Sequence, residues 1–182
     1  MIKLVTIHIP KLYFIGIDES NHGRFPEIYV SALSTDEKDV VPNQKLPKFR
    51  NKKKLEEITQ NIEDYRYVKI TRDISNFYGK FAIKSHAIVN LLIGFDLNPS
   101  NIFVYVDGNS TQEMFEDIIS LFNSNQDKGD LPEKNLQFMV HGDQIYPIIN
   151  KTDRMAYKIF KEIERNSNYE IKESYVEIPL RC

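Results

Sequence analysis

Residues 12–18 read LYFIGID, a short and nearly continuous apolar run interrupted by Gly16 and closed by Asp18. Its length and β-branched content predict a strand buried on both faces, as in sheets covered by helices. Residues 28–33 (IYVSAL) alternate and predict a second strand, set off from the first by the turn-forming SNHGRFPE of 20–27. No crossover helix fits between these two, so an antiparallel pairing is expected. Residues 55–62 (LEEITQNI) carry a helical spacing, and 67–71 (YVKIT) predict a third strand.

The spacing then predicts a long helix over 75–95, with Phe81, Ile88, Leu91, Leu92 and Phe95 on one broad face. Asn98-Pro99-Ser100 breaks the chain before a fourth strand at 102–106 (IFVYV). Ser110 or Thr111 can cap the helix that follows over 111–122. The polar stretch 123–135 reads as a loop, 136–140 (LQFMV) as a fifth strand, and 152–165 as an amphipathic helix with Met155, Ile159 and Ile163 on its buried stripe. The tail, 169–180, fits either an extra strand or an irregular docking segment. Strands separated by helices pair in parallel through right-handed crossovers. The expectation is therefore an α/β protein with one central, mixed, five-stranded sheet and helices on both faces. It is read as a single domain over 1–182, with its core at about 12–165 and a C-terminal tail at 166–182.

Composition agrees with one core of ordinary size: 182 residues, 41% hydrophobic and 27% charged. The single cysteine is Cys182, which excludes a disulfide framework or a cysteine-rich metal site and fits a reducing, cytoplasmic compartment. No apolar run approaches the roughly 20 residues that cross a bilayer, and the opening MIKLVTIHIP is too interrupted for a secretory signal. No membrane partner is expected. A net charge of -2 argues against a protein that coats nucleic acid through bulk charge. It leaves room for an enzyme whose carboxylates offset local basic patches.

Three of the apolar strands end in an acid: IGID at Asp18, FVYVD at Asp107 and MVHGD at Asp143. Neighbouring parallel strands lie about 4.8 Å apart, and ligands of open α/β sheets bind at their carboxyl edge. Carboxylates gathered there repel one another unless a cation neutralises them. An all-oxygen set suits Mg²⁺ or Mn²⁺. Glu19 adds a fourth acid, which reaches the same side as Asp18 only if the chain turns at SNHG, because adjacent strand residues point to opposite faces. Two such ions activate water and stabilise the leaving oxygen in phosphodiester cleavage. Aspartate is also a common turn residue, and Asp107-Gly108 is an ordinary turn dipeptide.

Taken in order, these segments resemble the ribonuclease HII family. IGIDES resembles its opening strand and acidic pair, and LPKFRNKKKLEEITQNI its basic stretch and following helix. HAIVNLLIGFDLNPSNIFVYVDGN is similar to its long helix, proline-broken turn and strand end, and VHGDQIYPIINKTDRMAYKIFKEI to its final acid and helix. The resemblance runs from about residue 12 to 163 and implies an RNase H-like fold. It implies metal-binding and catalytic roles for Asp18, Glu19, Asp107 and Asp143, two Mg²⁺ or Mn²⁺ ions, and substrate contacts at Gly23, Lys53 and Asn109. The implied activity is endonucleolytic cleavage of the RNA strand of RNA/DNA hybrids. The family's Gly-Arg-Gly after the acidic pair is here Asn21-His22-Gly23, and the small-residue opening of its last helix is Lys151-Thr152-Asp153-Arg154. IDESN with YPIINKTDRMAYKIF also resembles a broad group of RNase H-like proteins that carry an Ala-Asp pair on the last helix. On that alignment Asp153 replaces Asp143 as a ligand.

Two further readings stay open. One is a nuclease of the same fold acting on DNA or structured nucleic acid; the other is a binding or scaffold module without turnover. Lys48, Arg50, Lys52, Lys53 and Lys54 form a basic cluster that suits either solvent or phosphate. His22, His86 and His141, with Arg154 and Lys158, have both structural and substrate-facing readings. The aromatic residues fall mainly on strands and helix stripes and are expected in the core.

Overall fold

Strands β1 (Tyr13–Ser20), β2 (Glu27–Ser34), β3 (Asp64–Ile70), β4 (Ile102–Asp107) and β5 (Leu136–Met139) form one sheet in the order β3-β2-β1-β4-β5. The computed structural model describes residues 10–20, 24–43, 46, 54–79 and 82–178. β1 pairs antiparallel with β2 and β2 antiparallel with β3, while β1–β4 and β4–β5 are parallel. The expected mixed five-stranded α/β sheet is present, with β1 at its centre.

Five helices accompany it among the described residues: α1 (Leu55–Thr59), α2 (Arg72–Tyr78), α3 (Ala82–Ile93), α4 (Gln112–Ser124) and α5 (Pro147–Arg165). Strand alternation divides the core. Ile15, Ile17, Val104 and Val106 face α3 and α4, packing with Ile88, Leu91, Ile118 and Phe122. Phe14, with Phe103 and Tyr105, faces the other way and packs against Ile148 and Ile149 of α5. Val30, Ala32 and Tyr67 meet Met155, Ala156 and Ile159 further along the same helix. Each fully buried Ile, Leu or Phe contributes about 1.5–3 kcal/mol relative to exposure, so losing either face would unfold the sheet. α4 shows the local logic: Thr111 accepts from the Met114 N–H at 3.2 Å and caps the helix, and the i, i+4 pair Ile118 and Phe122 forms its buried stripe.

Several boundaries differ from the sequence reading. The expected helix over 75–95 is described as two helices, because Gly79 takes a φ of 80° that ends α2. Phe81 lies outside the described residues. The last helix begins at Pro147, five residues earlier than expected, since proline at the first helical position needs no N–H partner. β1 continues past Asp18 to Ser20, held by β2 through Ser20↔Ile28. The helix expected over 55–62 stops at Thr59, and β3 starts at Asp64 rather than 67. The tail is the docking segment rather than a further strand. Tyr67 N–H donates to Ser174 O at 2.8 Å and Val176 N–H to Tyr67 O at 2.9 Å, covering the outer edge of β3. No described helix is long and apolar enough to cross a membrane.

Candidate active site

Gly16 sets where α5 crosses the sheet. A Cβ there would stand 2.8 Å from Ile148 Cγ1 and 3.0 Å from the Ile148 carbonyl carbon and oxygen. Only glycine allows the helix backbone so close. Asp18 lies two residues further along β1 and, by alternation, on the same face as Gly16. It is buried, with 4% of its surface exposed, and its Oδ1 accepts the Glu19 N–H at 2.7 Å.

Asp107 belongs to the same face. Tyr105, two residues before it, packs toward α5, whereas Val104 and Val106 point to the opposite core. β1 and β4 are paired up to Ile17↔Val106, so Asp18 and Asp107 are the next residues on adjoining strands. Strand spacing alone separates such neighbours by about 4.8 Å. Asp153 comes from α5, five residues after the Ile148 contact. Asp18 senses the other two carboxylates. Burial first, then the charges of Asp107 and Asp153, hold the Asp18 carboxyl well above the usual carboxylate range, against a smaller lowering by the Glu19 N–H. The nearer turns of α5 are anchored by an ion pair. Lys151 Nζ lies 2.7 and 2.9 Å from the two Asp39 oxygens, and Ser34 Oγ donates to Asp39 Oδ2 at 2.7 Å.

Asp143 meets this group through its backbone. Its N–H donates to Asp107 Oδ1 at 3.3 Å, and its carbonyl accepts from Asn150 Nδ2 at 2.8 Å. Gly142 allows the approach, because a Cβ there would sit 3.1 Å from Asp107 Oδ1 and 3.0 Å from Met139 Cβ. Asp143 is thus joined to Asp107 through its backbone N–H, and Asp107 and then Asp153 are the carboxylates whose charges raise Asp18.

Glu19 goes elsewhere. β1 remains paired through Glu19↔Tyr29 and Ser20↔Ile28, so no turn brings Glu19 to the face of Asp18. Its carboxylate forms an ion pair with Lys84 of α3 at 3.2 Å. Burial and the charges of Glu19 and Glu27 push the Tyr29 hydroxyl far up from its ordinary range, which places Glu19 beside Tyr29 on the α3 side. Asn109 is exposed just beyond Gly108, whose φ of 93° turns the chain away from β4. Gly23 and Lys53 lie outside the described residues, as do His22, Lys48, Arg50 and Lys52. His141 is exposed with a φ of 57°, and His86 packs against Tyr78 with the rings tilted and their centres 4.3 Å apart. Lys84, Asn150 and the Asp39–Lys151 pair carry no motif that sequence reading could single out, and Gly142 shows there only as the glycine of a Gly-Asp dipeptide; their roles come from contacts between segments of the fold.

The donor set is all carboxylate, which fits a hard divalent cation and not a soft one. Among the described residues, no group of three or more His, Cys, Asp or Glu side chains is gathered tightly enough to hold a metal ion by itself. That arrangement still suits Mg²⁺, which takes one or two carboxylates and completes its shell with waters and substrate phosphates. A cation between Asp18 and Asp107 would also offset the part of the Asp18 shift that comes from the charge of Asp107. The residues present fit such an ion.

No protein-family model matches the sequence, and no curated protein matches it either. Solved structures do match. A glutamine-to-alanine mutant protein of Bst-RNase HIII superposes with a TM-score of 0.60 at 15% identity, over 85% of this chain and 54% of that one. Bst-RNase HIII in complex with Mn²⁺ gives 0.57 at 13% identity, over 85% and 54%. The ribonuclease H2 from Pyrococcus horikoshii OT3 gives 0.56 at 17% identity, over 92% and 82%. The chain thus spans about half the length of the RNase HIII structures it matches. The fold is RNase H-like.

Proposed function

We propose that this chain is a divalent-metal-dependent nuclease that hydrolyses phosphodiester bonds, acting on the RNA strand of RNA/DNA hybrids. The observation that carries the reading is the Asp18–Asp107 pair, on adjoining parallel strands and one face, with Asp153 facing Asp18 from α5. In this reading Asp18 and Asp107 hold Mg²⁺ or Mn²⁺, and Asp153 completes the acidic wall. The Asp143 N–H fixes the rotamer of Asp107 by donating to its Oδ1. Bound there, the ions supply Lewis acidity toward phosphate oxygens and lower the pKa of water. The chain's own part is to orient the carboxylates and to keep α5 seated on β1. The neighbours described as ribonucleases support the substrate class, and the Mn²⁺ complex of one supports the metal class.

A second reading is a nucleic-acid-binding module without turnover. The ion pair of Glu19 with Lys84 favours it, because one of the four acids is then committed away from the site.

Purified protein offered a hybrid, a duplex with one ribonucleotide, and plain DNA, each with Mg²⁺ or Mn²⁺, separates the readings. Cleavage of the hybrid is expected. Asp18→Asn and Asp107→Asn are each expected to lower it by more than about 100-fold, since even residues behind the ligands of a metal site cost about 10–100-fold. Cleavage that persists in both variants overturns the site. Cleavage of plain DNA alone moves the substrate to DNA, and metal-independent binding with no cleavage supports the module.

A further inference from the structure

A cavity of about 630 Å³ opens between the end of β3, the segment before β2 and the second half of α5. Its place relative to the acids follows from the strand register. Asp18, Val30 and Tyr67 form one row across β1, β2 and β3, and Ser20, Ile28 and Lys69 form the next row toward the rim. Val30 and Tyr67 pack under α5, so by alternation Lys69 shares the face of Asp18. Two strand spacings, roughly 10 Å, separate the rows' ends. Along α5, Phe160 stands seven residues beyond Asp153, about 10 Å of helix axis and nearly the same side. The cavity therefore begins about where the acid cluster ends.

Its walls are basic and aromatic. Arg24, Lys69, Arg72 and Lys161 line it, against one carboxylate, Glu164, which pairs with Lys161 at 2.6 Å. In a chain of net charge -2, a local surplus of three positive charges is a concentrated positive field. Phe160 rests partly on the core beneath α5 and also lines the cavity, with the Lys161 ammonium 5.3 Å from its ring centre. The Arg72 guanidinium lies 5.9 Å from the ring centre of Phe25. A second cavity of about 350 Å³ shares Lys69 and Ser167 and is lined further by Tyr169, Tyr175 and one carboxylate, Glu170, so the trench continues between β3 and the C-terminal tail with a surplus of two positive charges over its whole length.

We propose that this trench binds a single-stranded segment of nucleic acid leading to the acid cluster, with a phosphate between Lys69 and Arg72 and a base against Phe160. Cations that follow a backbone, interleaved with rings that take base faces, are how single strands are held. A base inside a duplex has both faces covered by its neighbours and cannot reach a ring at a cavity wall. The inference rests on the phosphodiester-cleaving reading for its purpose and sharpens the substrate to a strand that is unpaired beside the cut.

The test is binding without turnover. Fluorescence anisotropy in EDTA compares a labelled oligouridylate of about ten nucleotides, within the usual span of a single-strand site, with a blunt RNA/DNA duplex of the same length. Lys69→Ala and Arg72→Ala are each expected to weaken single-strand binding about tenfold and to reduce the slope of log K against log salt by about 0.7. Phe160→Leu is expected to weaken it at least about fivefold with the salt slope unchanged, and to leave duplex binding alone. Melting curves confirm that each variant is folded; Lys69 and Arg72 are not core residues. Wild-type single-strand affinity in the Lys69→Ala/Arg72→Ala double variant overturns the proposal. So does a Phe160→Leu loss equal for duplex and single strand. Neither readout needs metal or hydrolysis. A protein that binds as described but cuts nothing overturns the nuclease reading and leaves the trench standing.

Discussion

Asp18 and Glu19 are consecutive in β1 and serve opposite faces of the sheet: Asp18 lies buried under α5 with Asp107 and Asp153 near it, and Glu19 pairs with Lys84 of α3 at 3.2 Å. The unbroken register from Phe14↔Ser34 to Ser20↔Ile28 enforces this split. An acidic pair in the sequence therefore supplies one carboxylate to the candidate site and one to the packing of the other helix layer.

The buried Asp18 makes the metal-free protein sensitive to pH. Its folded pKa is raised, by burial and then by Asp107 and Asp153, above an unfolded value of about 3.9. The folded state therefore binds the extra proton in the window between those values. Its contribution to stability is fully present below the unfolded pKa and is lost as pH rises through the folded one. In EDTA the melting temperature of the wild type should fall, relative to Asp18→Asn, as pH is raised from about 4 toward neutrality. Mn²⁺ at neutral pH should raise the wild-type melting temperature and not that of the variant. A constant difference between the two proteins across that range would mean that burial and the neighbouring charges do not raise the Asp18 carboxyl.

Asp153 and Asp143 predict different losses. Asp153 acts on Asp18 by charge, so Asp153→Asn should lower hybrid cleavage by more than about 100-fold, beyond the usual cost of a supporting group. Asp143 reaches Asp107 by its backbone N–H, which asparagine keeps, so Asp143→Asn should cost about tenfold or less. Steady-state cleavage rates of the two variants decide the order, and a larger loss at 143 would reverse the assignment.

Glu19→Gln should act on stability before activity. The Glu19–Lys84 pair is largely enclosed, with side-chain exposures of 18% and 21%, so removing one charge leaves the other poorly solvated. A loss of about 1.5–3 kcal/mol is expected in urea unfolding, with cleavage within about tenfold of wild type. Lys84→Met in the same background should recover part of that loss, because no charge is then left unpaired. A collapse of activity at full stability would instead give Glu19 a direct part in the chemistry.

The strand order and the Asp18–Asp107 neighbourhood are legible in the sequence because both rest on short-range patterns. Apolar runs mark the strands, and strands joined through helices pair in parallel, although of the three expected acids only Asp107 is a strand's last residue: β1 runs on to Ser20, and Asp143 stands four residues past Met139. Asp153 is visible there only as an alternative, since the local pattern starts its helix at 152 and Pro147 starts it a turn and a half earlier. The fate of Glu19 is hidden because it depends on how far β1 stays paired to β2, a long-range property of register. The break at Gly79 is hidden for a related reason: the apolar spacing continues across it, and only the backbone conformation interrupts the helix. The Asp39–Lys151 pair joins residues 112 positions apart, beyond the reach of any local pattern.

Gly16 links the fold to the site, and its replacement gives the most direct test of that link. A methyl group at Gly16 would press on the backbone of Ile148 as well as its side chain, so α5 must lift from β1 to admit it. Overpacking of this kind costs about 1–3 kcal/mol. For a chain of this size that corresponds to a fall of roughly 2–12 °C in melting temperature. Because Asp153 rides on the same helix, five residues on, Gly16→Ala should also lower hybrid cleavage at temperatures where the variant is fully folded. Trimming Ile148 to alanine in that background relieves only the Cγ1 contact and leaves the carbonyl carbon and oxygen at 3.0 Å. The double variant should therefore recover little activity. Full recovery would mean that the side chain alone fills the space, and that the seating of the α5 backbone on β1 does not set the position of Asp153.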